Sequence, residues 1–307
     1  MIAAESYKEE RAPGAGAVSA AMCFAVLALA FSSIFIKQLE QMGVPPLAIA
    51  FNRMALTTAL LLPVAIVWKR QEMTTLARRE MALLALGGLF LAAHFGAWIT
   101  SLKYIPIATS VVLVNSHPFF VAIASYFFLG EKPTRRTIAG TSLGLVGMAI
   151  ISGDGFAGVE SALWGDILAI IGALAVVGYF IIGRRMRAKV SLLGYVTPLY
   201  GVCTLFLFVW VLAAGDQVYP YDATAWMYFI ALAIVPTILG HTVFNWAIKH
   251  VKTSAISLAF LGEPVAAAAL AFLFFSQEPP MATIIGGALV LAGIYLTTSS
   301  SKSSDSA

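Results

Sequence analysis

Residues 114–133 read VNSHPFFVAIASYFFLGEKP, and the same pattern returns 146 residues later. Pro118 is matched by Pro264 and Pro133 by Pro279, while the residue before the first proline changes from His117 to Glu263. Outward from this stretch the register holds without a gap. Lys103 falls on Lys249, Phe128 on Phe274, Gly140 on Gly286 and Gly147 on Gly293. The chain is two copies of one unit, and each copy sets a proline behind an ionisable residue inside an apolar run.

Composition says where such a unit lives. Of 307 residues, 60% are hydrophobic and 11% charged, with a mean hydropathy of +0.89. Soluble chains carry about a quarter charged residues, so this is an integral membrane protein. A net charge of +4 would suit nucleic acid if the basic residues clustered. They are scattered over short connections between apolar runs, which points to membrane orientation and to no nucleic-acid partner. Cys23 and Cys203 lie inside apolar runs and are expected to be small buried hydrophobes, neither a disulfide nor metal ligands. Glu5, Glu9 and Glu10 dilute Lys8 and Arg11, and the apolar run that follows is too long for a signal-peptide core, so no cleavable leader is expected.

Ten apolar runs can be read, each near the ~20 residues a spanning helix needs. They cover residues 17–36, 46–68, 81–102, 107–129, 134–151, 163–183, 192–213, 223–248, 253–275 and 281–298. Breakers punctuate the connections: Gly43-Val44-Pro45-Pro46, Ile105-Pro106, Gly153-Asp154-Gly155 and Pro279-Pro280. With the N-terminus inside, sixteen of the nineteen Lys and Arg fall on one face, against Lys37 and Lys103 on the other. Arg53 is the remaining one, inside the second run. That bias predicts both termini on the cytoplasmic side of the cell's inner membrane. Outer connections carry Asp154, Glu160, Asp216 and Asp222, either an acidic vestibule or, the better account, solvated loop charge.

The expected fold is all-α: ten transmembrane helices as two inverted five-helix repeats around a central cavity. Residues 1–16 form a cytoplasmic tail, 17–152 the first repeat, 153–298 the second and 299–307 a second cytoplasmic tail. Five spans per unit is an odd number, so the second unit enters the membrane upside down. Inverted repeats of this kind underlie many secondary transporters, with substrate bound near the midplane between them.

These residues resemble the ten-helix, EamA-type members of the drug/metabolite transporter superfamily. The first half reads Pro118, Gly130-Glu131-Lys132-Pro133, Gly140 and Gly147; the second reads Glu263-Pro264, Ser276-Gln277-Glu278-Pro279, Gly286 and Gly293. Leu261-Gly262-Glu263-Pro264 is similar to the family's L-E-P, with Gly262 as a departure, and Arg53 sits where the family often has arginine. The resemblance spans residues 17 to 298. It implies export of small metabolites, amino-acid exporters (the YddG type among them) being one substrate class.

Several side chains are candidates for the pathway. His117 and Glu263 lie about ten residues from either end of their runs, near the bilayer centre, where a charge costs on the order of 2.5–3.5 kcal/mol. Such residues face protein or water. Pro118 and Pro264, as helix breaks, free the carbonyls of Val114 and Phe260, which is tolerated where they line a cavity. The alternative for Glu263 is a structural hydrogen bond, with Arg53 as one partner. His94, Trp98 and Ser101 share a face of the third helix, and Thr237, His241 and Asn245 recur every four residues on the eighth. Stripes like these serve helix–helix hydrogen bonding or line a pathway. Ser33 and its repeat mate Tyr179 are weaker candidates, as are Thr197, Tyr200 and Thr204. Gly140 with Gly147 and Gly286 with Gly293 predict close helix packing, within a monomer or between the protomers of a homodimer.

No G-x-x-x-x-G-K-[ST], H-E-x-x-H or G-x-S-x-G occurs. The expected protein is therefore not an enzyme. It takes a small-molecule substrate, an amino acid or related metabolite, amid membrane lipid, with no cofactor or metal. The rivals are drug export by proton antiport, an intramembrane enzyme, and a scaffold that moves nothing.

Overall fold

The computed structural model describes residues 14–120, 134–151, 160–250, 259–260 and 262–299. Phe128, the Gly130-Glu131-Lys132-Pro133 segment, Gly153-Asp154-Gly155, Lys252, Leu261 and both charged tails lie outside the described residues. Within them the chain is helical and has no strand. Helix α1 is Ala15–Gln41, α2 Pro46–Thr74, α3 Arg78–Ser101, α4 Ile107–Val114 and α5 Arg135–Ile151. Then come α6 Glu160–Arg187, α7 Leu192–Ala214, α8 Ala223–Ala247, α9 Gly262–Phe275 and α10 Met281–Ser299.

Local chemistry sets the ends. Gly43 turns the chain at φ +80, and Pro46 opens α2 at a position where its missing N–H costs nothing. Ser191 caps α7, which stops at Gly215 with φ +71. Asp222 accepts from the Ala225 amide at 2.7 Å to start α8. Helices overrun the apolar runs. α2 continues past Trp68 to Thr74 and α6 carries Arg184, Arg185 and Arg187 in its last turn, because backbone hydrogen bonding outlasts the lipid-facing segment.

Six helices (α1, α2, α3, α6, α7 and α8) are long and apolar enough to cross a bilayer. Their outward faces are apolar too: Leu27, Leu60, Val67, Leu205, Val209 and Leu212 are all exposed. A surface like that matches hydrocarbon, not water. Cys203 is buried as expected, but Cys23 is exposed beside Phe24. An apolar run in a membrane protein does not distinguish bundle interior from lipid face.

Small residues bring the helices together. α5 and α10 cross antiparallel, so that a Cβ on Gly147 would lie 2.5 Å from the Gly286 carbonyl and one on Gly293 2.5 Å from the Gly140 carbonyl. Backbones meet this closely only where both partners lack side chains. α3 and α6 also run antiparallel, with Gly165 against Tyr104 and Ile105, Gly172 against Trp98 and Gly178 against Phe90. α1 meets α8 where Gly240 packs on Leu29. α2 and α7 share a hydroxyl contact, Thr58 Oγ1 to Thr204 Oγ1 at 3.2 Å. At the far end of the same pair, the Glu72 carboxylate accepts from the Ser191 hydroxyl at 2.6 Å and from its backbone N–H.

Among the described residues, two breaks, one bulge and a kink at Lys69 in α2 depart from regular α-helix. α4 stops at Val114, residues 115–116 form a turn, and helical backbone resumes at 117–120. Pro118 has no N–H for the Val114 carbonyl, and the His117 ring takes that carbonyl instead. Phe260 is likewise a turn before α9, and its carbonyl accepts from Glu263 N–H at 3.2 Å. In α8, residues Ala233–Thr242 are π-helical around Pro236. Proline leaves the Leu232 carbonyl without its i+4 donor, and the Thr237 hydroxyl donates to it at 2.7 Å.

Candidate functional site

The two breaks meet. A small cavity of about 30 Å³ lies between α1, α3, α6, α8 and the turns at 115–117 and 260–263. His94, Trp98, His117, His241 and Glu263 line it, together with Asn115. Leu29, Val114, Val176, Phe180 and Phe260 supply the apolar wall. His94, Trp98, His117 and Glu263 are all buried. A water needs about 10–15 Å³, so two or three fit and an amino acid does not.

Each polar side chain is held. His94 Nδ1 lies 2.9 Å from the Gly172 carbonyl, its ring stacked on Trp98 and edge-on to His241 at 6.3 Å. His117 is gripped between Phe180 and Phe260, with ring centroids 5.4 and 5.2 Å away. Phe260 is backed by Phe244 at 4.4 Å. Glu263 sits beside the Asn115 side chain, whose Nδ2 donates to the Val111 carbonyl at 3.0 Å. Trp98 Nε1 is buried without an acceptor.

Other predicted residues go elsewhere. Ser101 bonds to the Trp98 carbonyl and to Ser110 Oγ, both at 2.7 Å, and Ser33 donates to the Ala30 carbonyl at 3.2 Å. Neither side chain is among the lining of this cavity. The stripe on α8 splits because π-helical residues advance by a different angle from α-helical ones. Thr237 accepts from Arg53 Nε at 2.7 Å, His241 reaches the cavity, and Asn245 donates to the hydroxyls of Tyr179 and Tyr200. Tyr200 also meets Thr242 Oγ1 at 3.1 Å. Tyr179, Tyr200 and Asn245 therefore form a buried polar layer beside the cavity rather than its lining.

Sequence reasoning missed Asn115 and Phe180, and named Phe260 only for its carbonyl. Asn115 carried a signal, as an amide two residues before His117 in an apolar run. The Phe180 ring carried none among twenty phenylalanines in the chain. Away from the centre, Glu40, Val44, Pro45, Lys103, Tyr104 and Asp216 line a wider pocket of about 450 Å³. Its charges are mixed rather than acidic, and Lys37 Nζ bonds to Glu40 at 3.0 Å and to the Leu102 carbonyl at 2.9 Å beside it.

Apolar helices around a cavity with polar and apolar lining define the class: a multi-pass membrane protein. Residues 17–153 and 163–299 each match the EamA-like transporter family, and the chain belongs to it. An uncharacterized transporter of Archaeoglobus fulgidus is 26% identical over 285 residues, covering 90% of this chain and 96% of that protein. A protein of Streptantibioticus cattleyicolor, named a probable terminal-alkyne amino-acid exporter, is 26% identical over 71% of this chain and 73% of its own length. The pseudopaline exporter CntI of Pseudomonas aeruginosa is 24% identical over 84% of this chain and 88% of its own. A solved crystal structure shares the fold at a TM-score of 0.66 and 19% identity, covering 95% of this chain and 99% of that one.

Proposed function

We propose that this protein exports small metabolites, amino acids foremost, across the inner membrane by alternating access. Ten spanning helices form two inverted five-helix repeats, with both termini cytoplasmic, and one repeat rocks against the other around a midplane site. The observation that carries the reading is that His117 and Glu263, repeat mates from the two helix breaks, line one buried cavity. Contacts between repeat mates support the inversion. Thr58 touches Thr204, 146 residues on, and the glycine pairs of α5 and α10 exchange contacts reciprocally while running antiparallel. Residues that touch their own mates lie on a pseudo-twofold axis.

The small central cavity implies that α8 or the two broken helices shift to admit substrate. Aromatic walls from Trp98, Phe180 and Phe260 suit an apolar side chain. Imidazole, amide and carboxylate groups suit an amino acid's charged ends. Relatives named as exporters, one of them of an amino acid, support export of this substrate class.

Transport is facilitated or proton-coupled, with facilitated export the favoured reading. Purified protein in sealed proteoliposomes should exchange labelled amino acids unaltered in counterflow, at the same rate with and without a pH gradient. A rate that follows the gradient would replace facilitated export by antiport. Chemically altered label would indicate an enzyme, and absence of flux would sink the reading.

A further inference from the structure

Arg53 is fully buried, at 0% exposure, in the middle of α2. Its Nε donates to Thr237 Oγ1 at 2.7 Å and its Nη1 to Ser32 Oγ at 3.0 Å. The guanidinium lies over the Phe95 ring, 4.2 Å from the centroid. Nη2, with two N–H donors, has no acceptor. No described carboxylate lies within ion-pair distance of Arg53. A buried, uncompensated guanidinium is expensive, and two hydroxyls and a ring face do not cancel its charge.

The surroundings say what would. Phe95 also packs edge-on against His241, at 5.2 Å, so the guanidinium stands one side chain behind the cavity wall. Thr237, which holds Arg53, lies one turn before His241 on the π-helical stretch of α8. A shift of that stretch moves both the wall and the arginine's partner. A second donor without acceptor, Trp98 Nε1, lies in the cavity lining itself. The carboxylate Glu263 lines the same cavity from α9 and interacts electrostatically with Arg53. Two unmet donors, one on α2 and one on α3, thus stand near a cavity that also carries a carboxyl group from α9.

We infer that the site is built for a zwitterion, with Arg53 and Trp98 receiving the substrate's carboxylate and Glu263 facing its ammonium group. A guanidinium edge with free N–H donors matches a carboxylate in a way a lysine ammonium does not. Because the opposite charge is part of the substrate, the empty site keeps its cation and its acid unpaired and the bound one neutralises both. This rests on the export reading above and adds a requirement to it: the carboxylate is obligatory, and Arg53 reads it.

The test uses labelled leucine, methionine, phenylalanine, threonine and serine in proteoliposome counterflow. Each is challenged by its unlabelled free acid, its amide, which lacks the carboxylate, and its N-acetyl form, which lacks the ammonium. Wild type should prefer the free acid by at least tenfold over both derivatives, about 1.4 kcal/mol. Arg53→Gln should erase the preference over the amide while keeping that over the N-acetyl form. Arg53→Lys, which retains the charge and guards against a misfolded glutamine variant, should lower the acid-to-amide ratio several-fold. Equal handling of acids and amides by wild type would overturn this inference and leave export standing. So would a loss in Arg53→Lys that falls equally on acids and amides. Failure of wild type to move any of the five overturns the export of amino acids itself.

Discussion

At the residue scale the informative pattern was an ionisable group set before a proline. Proline cannot satisfy the carbonyl four residues back, so the helix opens there, and the polar side chain that precedes it has backbone to bind and space to occupy. His117 takes up the Val114 carbonyl and Glu263 N–H bonds to that of Phe260, and both side chains line the cavity. Polarity alone was a poorer guide. Ser33, Ser101 and Thr237 are as polar as His241, yet their hydroxyls donate to carbonyls of their own helix, the ordinary fate of such hydroxyls in a spanning segment. Two substitutions separate the transport role from the structural one. Glu263→Gln keeps shape and hydrogen-bonding capacity, so thermal unfolding in detergent should change little while counterflow falls tenfold or more, about 1.4 kcal/mol of lost substrate interaction. His117→Ala removes a ring packed on two phenylalanines and should cost both: transport, and about 2–4 kcal/mol of stability from the void it leaves. Unaltered flux in both variants would return these residues to scaffolding.

Glycine spacing worked better at the scale of elements, because it encodes how closely two helices approach. The pairs Gly140–Gly147 and Gly286–Gly293 foretold close packing, but not whether within one chain or between two; α5 and α10 place it within the chain. Adjacent residues make a controlled experiment. A Cβ on Gly286 would lie 2.5 Å from the Gly147 carbonyl and 2.7 Å from Ile151, whereas one on Gly287 meets nothing nearer than 3.6 Å. Gly286→Ala should therefore push two backbones apart and destabilise by about 1–3 kcal/mol, while Gly287→Ala should stay within about 0.5 kcal/mol of wild type. Tryptophan-monitored unfolding in detergent reads both, and equal effects would refute the close contact. The α2–α7 junction offers a second case. Glu72 accepts from both the N–H and the hydroxyl of Ser191, the cap of α7. Glu72→Ala should cost about 1–3 kcal/mol, since a charged acceptor is lost and the cap is left to water. Neither the clamp nor the π-helical bulge was legible. Glu72 is separated from Ser191 by more than a hundred residues, and Pro236 reads equally well as a simple kink.

For the molecule as a whole, the repeat offset was legible in the sequence, and the family match falls on two copies of one unit, while the distribution of lysine and arginine makes a forecast of orientation. Apolar runs located the helices but not their ends, since exposed charges such as Arg184 and Arg185 extend past the lipid at no cost in water. The charge split is large enough to make one physical forecast of orientation. Moving a face with sixteen cations through the bilayer is opposed far more strongly than moving Lys37 and Lys103. The wide pocket at Lys103, Tyr104 and Asp216 should then open outward and Lys189 should face the cytoplasm. Single cysteines at Lys103 and Lys189, placed in a background with Cys23→Ser and Cys203→Ala, separate the two faces. In intact spheroplasts a membrane-impermeant maleimide should label the cysteine at 103 at once and the one at 189 only after permeabilisation. The reverse order would turn the protein over. It would also make the pocket at Lys103 the cytoplasmic entrance, so export would begin where it is now proposed to end. Labelling of both without permeabilisation would indicate two orientations in one membrane, which a bias of this size does not allow.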